Sequence, residues 1–132
     1  MYINELQRKL GLKPNLKAYT LHAPLEYEDY LPSPTPIVNS GELHDDTDWI
    51  QAFYFNKTEL EAEISTLRHC LAKNGQLWIS WPKKSSKLAF DLTDGVVRQI
   101  GLTAGLVDVK VASINDTWSG LKFVYRLSDR KL

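Results

Sequence analysis

An α/β domain with a mainly parallel central sheet is the fold class the sequence predicts, and three observations carry it. Trp49-Ile50-Gln51-Ala52-Phe53-Tyr54-Phe55 is nearly all apolar, as a strand covered on both faces is. Leu60, Ile64, Leu67 and Leu71 then recur at helical spacing, and a second apolar run follows from Gln76 to Trp81. Strand, helix and strand in that order form a βαβ unit, so the strands run parallel and the crossover is right-handed. Near the end, Val107, Val109 and Val111 alternate with polar residues, as do Leu121, Phe123, Tyr125 and Leu127. That pattern predicts an antiparallel C-terminal hairpin on the same sheet. With helices on the faces of the sheet, the architecture is three-layered.

Each element has a local cause. Ile3, Leu6 and Leu10 mark a helix over residues 2–10, with Gly11 as a left-handed C′ residue and Pro14 forbidding continuation. Lys17 to His22 is the first strand, ended by Ala23-Pro24. Leu25 to Leu31 has one or two helical turns, stopped by Pro32-Ser33-Pro34-Thr35-Pro36. Ile37-Val38 has the length of an edge strand only, Asn39-Ser40-Gly41 is a turn, and the acidic run to Asp48 is a solvated loop. Thr58 with Glu61 makes a capping box for a helix over 59–72, which Asn74-Gly75 closes. Asp91 and Asp94 cap a second helix over 92–104, with Val96, Val97, Ile100 and Ala104 on its inner stripe and Gly105 at its end. Gly95 and Gly101 weaken that helix by about 1 kcal/mol each, which close approach to the sheet explains. Asn115-Asp116-Thr117 is the hairpin turn, with Ser119-Gly120 read as a bulge.

At 132 residues the chain fits one domain over 1–132, long enough to bury roughly two-thirds of its unfolded surface. No apolar run approaches the ~20 residues of a membrane span, and the first residues lack the apolar core of a signal peptide. One cysteine, Cys70, excludes an internal disulfide, and together these features predict a cytoplasmic setting. Net charge is zero, which argues against broad nucleic-acid binding. The charge is unevenly spread, however. No Lys or Arg occurs between Ala18 and Asn56, whereas basic residues gather at 83–87 and near both ends.

The order of strand, helix, strand, helix and hairpin resembles the second half of a Rossmann-type methyltransferase. Leu10-Gly11-Leu12-Lys13-Pro14-Asn15-Leu16-Lys17 is similar to the lead-in those enzymes place before their first strand, and Asp48-Trp49 to the start of their fourth. The resemblance implies a shortened methyltransferase fold and S-adenosylmethionine as cofactor. The family's first strand runs into a glycine-rich turn; here the residues are His22-Ala23-Pro24-Leu25-Glu26-Tyr27. For the acidic ribose-binding role the available residues are Asp45, Asp46 and Asp48. Trp81-Pro82-Lys83-Lys84-Ser85, Asp91-Leu92-Thr93-Asp94, Gly105 to Val111 and Asp116-Thr117-Trp118-Ser119-Gly120-Leu121-Lys122 also resemble the marks of a bacterial domain-of-unknown-function family of about this length. That resemblance implies the same truncated architecture and no particular activity.

Parallel sheets bind ligands beyond the carboxyl ends of their strands. Three such ends bring His22, Asn56, Trp81, Lys83, Lys84 and Ser85 to one rim if the strands are neighbours. Two ammonium groups and a hydroxyl suit a phosphate or carboxylate, and an indole suits a flat ligand. The alternative is that the lysines are solvated and the tryptophans are core. Trp118, near the hairpin turn, either folds back over the sheet or anchors a protein partner or a second copy of the chain. His44 beside Asp45, Asp46 and Asp48 lies on a loop that enforces no coordination geometry. His69 and Cys70 are adjacent on a helix, about 100° apart, and so make no nucleophile–base couple.

The residues themselves point to no resident cofactor, no metal and no catalytic constellation. The first functional expectation is therefore a non-catalytic cytoplasmic module that binds an anionic small molecule or a protein partner at the carboxyl edge of the sheet. A reduced S-adenosylmethionine-dependent methyltransferase is the alternative. A purely protein-interaction or dimerisation domain is the second.

Overall fold

A computed structural model of the chain describes residues 8–12, 16–24, 37–38, 44–88 and 90–130. The anticipated turns over 25–31, the proline stretch, the turn at 39–41 and most of the first helix lie outside the described residues. The described elements are β1 (Ala18–Leu21), β2 (Ile37–Val38), β3 (Thr47–Phe53), α1 (Lys57–Cys70), β4 (Leu71–Pro82), a 3-10 turn (Lys84–Ser86), α2 (Asp94–Thr103), β5 (Leu106–Ser113), β6 (Trp118–Tyr125) and the short α3 (Leu127–Arg130). They form the Rossmann-like α/β architecture anticipated from the sequence. No helix among the described residues is long and apolar enough to cross a membrane.

The six strands make one sheet in the order β2-β1-β3-β4-β6-β5. β1, β2, β3 and β4 are mutually parallel, while β6 runs antiparallel to both β4 and β5. The terminal hairpin forms as expected, but its second strand inserts between its partner and β4. Leu77 pairs with Phe123 and Ile79 with Leu121, so apolar residues meet on the face that the helices cover. Leu60, Ile64 and Leu67 of α1 and Val97 and Ile100 of α2 complete that core. The opposite face holds Trp49, Phe53, Trp78, Ala112, Ile114 and Trp118, closed by Leu10 and Leu12. There the indole N–H groups of Trp49 and Trp78 both donate to the carbonyl of Leu10, each at 2.9 Å. This double hydrogen bond fastens the lead-in to the sheet while satisfying two buried donors.

Four local expectations are corrected. α1 starts earlier than the Thr58–Glu61 pattern implies, because Asn56 Oδ1 accepts from the backbone N–H of Glu59 at 2.8 Å and is the N-cap. Thr93, not Asp91, caps α2 by accepting from Val96 N–H at 3.2 Å. Asn74-Gly75 does not end α1; the helix stops at Cys70 and β4 begins at once. Thr47 pairs with Leu71 and Trp49 with Gln76, so β4 carries extra residues between those pairs, and the turn-forming Asn-Gly falls in the irregularity. Ser119-Gly120 pairs regularly with both neighbours, and the bulge of the hairpin lies instead between Asp108 and Lys110. The turn at 115–117 holds because Asn115 Oδ1 accepts from Thr117 N–H and Trp118 N–H at 2.8 and 2.9 Å.

Candidate functional site

Register places three strand ends on one rim. Leu21 of β1 is level with Ala52 of β3, and Phe53 of β3 with Ser80 of β4. The exits after Leu21, Phe53 and Pro82 therefore emerge side by side. The start of β6 joins them, since Pro82 pairs with Trp118 and Lys83 N–H donates to Thr117 C=O at 2.7 Å.

A polar cluster occupies the β1 side of this rim. His22 has φ +59°, the left-handed turn that a glycine usually makes, which swings its ring toward α1. Its Nε2 lies 2.8 and 3.2 Å from the two carboxylate oxygens of Glu63 and 3.4 Å from Oε1 of Glu59. The hydroxyl of Tyr54, from the residue directly after β3, donates to Glu63 Oε1 at 2.8 Å. The His22 ring meets the Tyr54 ring edge-on at 5.5 Å. Burial, the hydrogen bond to Glu63 and the charges of Glu63 and Glu59 all push the Tyr54 phenol well above its ordinary pKa. Glu59 and Glu63 are one helical turn apart, where like charges repel, so His22 and Tyr54 stabilise an otherwise unfavourable pair.

On the β4 side lies a hollow of about 330 Å³, lined by Trp81, Lys83, Lys84, Phe90, Leu92, Thr93, Asp94, Val111 and Ser119. Lys83 Nζ reaches Ser113 Oγ at 2.5 Å, while Lys84 is exposed at the start of the 3-10 turn. Asp94 shares this wall, with its carboxylate 3.9 Å from Arg98 on the same helix.

The six residues anticipated for the rim thus separate. Trp81, Lys83 and Lys84 line one hollow. Ser85 is exposed beside it and is not part of its wall. His22 is held by Glu63, and Asn56 is a helix cap. Trp118 is 4% exposed and packs edge-on against Phe53 and Phe55 at 5.1 and 5.3 Å. Of the two readings given for it, the structure has it folded over the sheet.

Sequence reasoning missed Tyr54, Glu59 and Glu63, and it gave Asp91 to the wrong helix. Asp91 Oδ1 accepts from Lys57 N–H at 2.7 Å and Asn56 Oδ1 from Glu59 N–H at 2.8 Å, so two first-turn donors of α1 are already taken up by side-chain oxygens, which leaves that terminus less to offer an anion. Carboxylates spaced i, i+4 on the helix after β3 were the available signal for the cluster. At the other end of the sheet, Asp48 accepts from Lys17 N–H at 2.9 Å. His69 and Cys70 each lie 3.7 Å from Asp45 rather than meeting one another. Burial, then Asp45, raises the Cys70 pKa and keeps the thiol neutral. A groove of about 510 Å³ between α1 and α2 involves none of the strand-end residues.

No protein-family model and no curated protein matches the chain. Among solved structures, it is similar to a SAM-dependent methyltransferase from Aquifex aeolicus, at 13% identity over 90% of this chain and 87% of that one, with a TM-score of 0.64. It is also similar to magnesium protoporphyrin IX methyltransferase from Synechocystis PCC 6803 with bound SAM, at 19% identity over 76% and 50% of the two chains, TM-score 0.52. LepI in complex with SAM matches at 9% identity over 94% and 47%, TM-score 0.58. The chain thus spans about half the length of the last two and most of the first. At these identities the likeness is one of fold, and the fold is a shortened methyltransferase type.

Proposed function

We propose that this chain binds S-adenosylmethionine at the carboxyl rim of its sheet and acts as a reduced methyltransferase. The observation that carries the reading is the strand order, with an antiparallel final strand inserted beside β4, in a fold similar to enzymes solved with that ligand. S-adenosylmethionine supplies a methyl group activated on a sulfonium. The rim residues fit such a ligand through side chains. β1 ends in a left-handed turn at His22, the backbone path a glycine would take. Phe55 is 43% exposed beyond β3, an aromatic face for a flat base. Glu59 and Glu63 make the β1 side of the rim acidic, which favours a cationic ligand over a purely anionic one. Ala23 and Pro24 carry side chains where the family's turn is bare, and Pro24 offers no N–H. Backbone contact is therefore reduced, and the expected affinity is weak, with a Kd on the order of 0.1 mM.

Isothermal titration with S-adenosylmethionine and S-adenosylhomocysteine tests this directly. Saturable heat, lost in Ala23→Trp, is the expected result. Absence of heat at millimolar ligand removes the reading.

A second reading, a module that binds an anionic metabolite, is favoured by the hollow that contains Lys83 and Lys84. Pairing Lys83→Ala with Lys84→Ala should then weaken binding of a phosphorylated ligand at least tenfold, as seen in a thermal-shift series. An unchanged response across nucleotides and phosphorylated metabolites counts against it.

A further inference from the structure

We infer that His22, Glu59 and Glu63 form a binding site for one divalent first-row transition-metal ion, of which Zn²⁺ is the representative. The inference goes beyond the S-adenosylmethionine reading and does not depend on it. One nitrogen and the two carboxylates lie within 4.8 Å of one another. A tetrahedral ion with bonds of about 2.0–2.1 Å separates its ligand atoms by about 3.3–3.4 Å. His22 Nε2 and Glu59 Oε1 are already 3.4 Å apart. His22 Nε2 and Glu63 Oε2, at 3.2 Å, need only a few tenths of an ångström of opening.

Three further features separate this cluster from a casual surface ion pair. The ligands come from two rigid places, the end of β1 and successive turns of α1, so a helix sets the spacing of the carboxylates. Tyr54 is fully buried and donates to Glu63 Oε1, which also lies 2.8 Å from His22 Nε2 with Oε2 at 3.2 Å, so the hydroxyl holds this carboxylate beside the imidazole. Outer hydrogen bonds of this kind orient carboxylate ligands. Finally, one ring nitrogen and the Tyr54 hydroxyl face four carboxylate oxygens, whereas a dication meets both carboxylate charges at once. The side chains of His22, Glu59 and Glu63 are 39%, 42% and 32% exposed, which leaves room for water to complete the coordination. A nitrogen ligand together with carboxylates selects Zn²⁺ or Mn²⁺ over Mg²⁺, which prefers an all-oxygen shell.

The test uses the full chain, dialysed against chelator and titrated with ZnCl₂ by calorimetry without any nucleoside present. The expected result is one equivalent bound with micromolar affinity and a raised Tm, with no comparable response to MgCl₂. Glu59→Gln, an isosteric change at an exposed position, should weaken binding at least tenfold, and His22→Ala more. Tyr54→Phe should keep the stoichiometry while lowering affinity, a change that loss of a ligand would not mimic. His69→Ala serves as the control for adventitious binding near Asp45 and should leave the site unchanged. Sub-stoichiometric or sub-millimolar-insensitive binding of Zn²⁺, or full retention of the site in both Glu59→Gln and His22→Ala, overturns the inference. Because S-adenosylmethionine is absent throughout, that outcome is distinct from failure of the methyltransferase reading.

Discussion

Tyr54 shows how one side chain joins the core to the rim. Its ring is fully buried between β3 and α1, yet its hydroxyl ends on a carboxylate that is part of the polar cluster. Burial and Glu63 hold the phenol neutral, so its pKa in the folded protein lies above the unfolded value of about 10. The folded state then keeps the proton that the unfolded state gives up. The stability this contributes is complete below about pH 10 and is lost as pH rises beyond it. Tyr54→Phe should therefore cost about 1 kcal/mol at pH 7 through the lost hydrogen bond. It should also flatten the alkaline limb of the stability curve above about pH 10. Urea unfolding of both proteins at pH 7 and pH 11 checks this, and an identical alkaline slope would remove the role assigned to the hydroxyl. Neither this residue nor the two glutamates stood out in the sequence, although His22 did as a strand-end residue. Tyr54 reads there as one more apolar residue in a strand.

At the scale of elements, α2 separates two glycines that look alike in the sequence. A Cβ at Gly101 would overlap the ring of Phe123, so this glycine lets the helix lie against β6. A Cβ at Gly95 would find its nearest neighbour, Thr93 Oγ1, at 3.9 Å, an ordinary contact. Gly95→Ala should thus stabilise the protein by about 0.5–1 kcal/mol through helix propensity. Gly101→Ala should destabilise it by about 1–3 kcal/mol because the core must shift. Thermal unfolding of the two variants should move Tm in opposite directions; a shared direction would mean that the helix–sheet spacing is set elsewhere. Close approach was anticipated for both positions and holds for Gly101. The capping residues of both helices were displaced for a related reason. Asn56 and Thr93 each lie next to the first helical residue, whereas Asp91 is drawn away to the start of α1. Local pattern ranks candidate caps; contacts across the chain choose among them.

Over the whole molecule, periodicity and punctuation determined that β3, α1, β4, α2, β5 and β6 exist, in that order and with those faces buried. They also determined that β3 and β4 run parallel and that their exits share a rim. These follow from the sequence because they depend on apolar spacing, on short connections and on the handedness of a crossover. Tertiary structure alone decided that β6 lies between β4 and β5, with the hairpin's inner strand paired to a strand some forty residues earlier. It alone brought His22 to Glu59 and Glu63, closed Trp118 over Phe53, and gave two indoles to one carbonyl. Such meetings depend on which distant faces fit one another in three dimensions, and the period of a strand or helix carries no record of that choice.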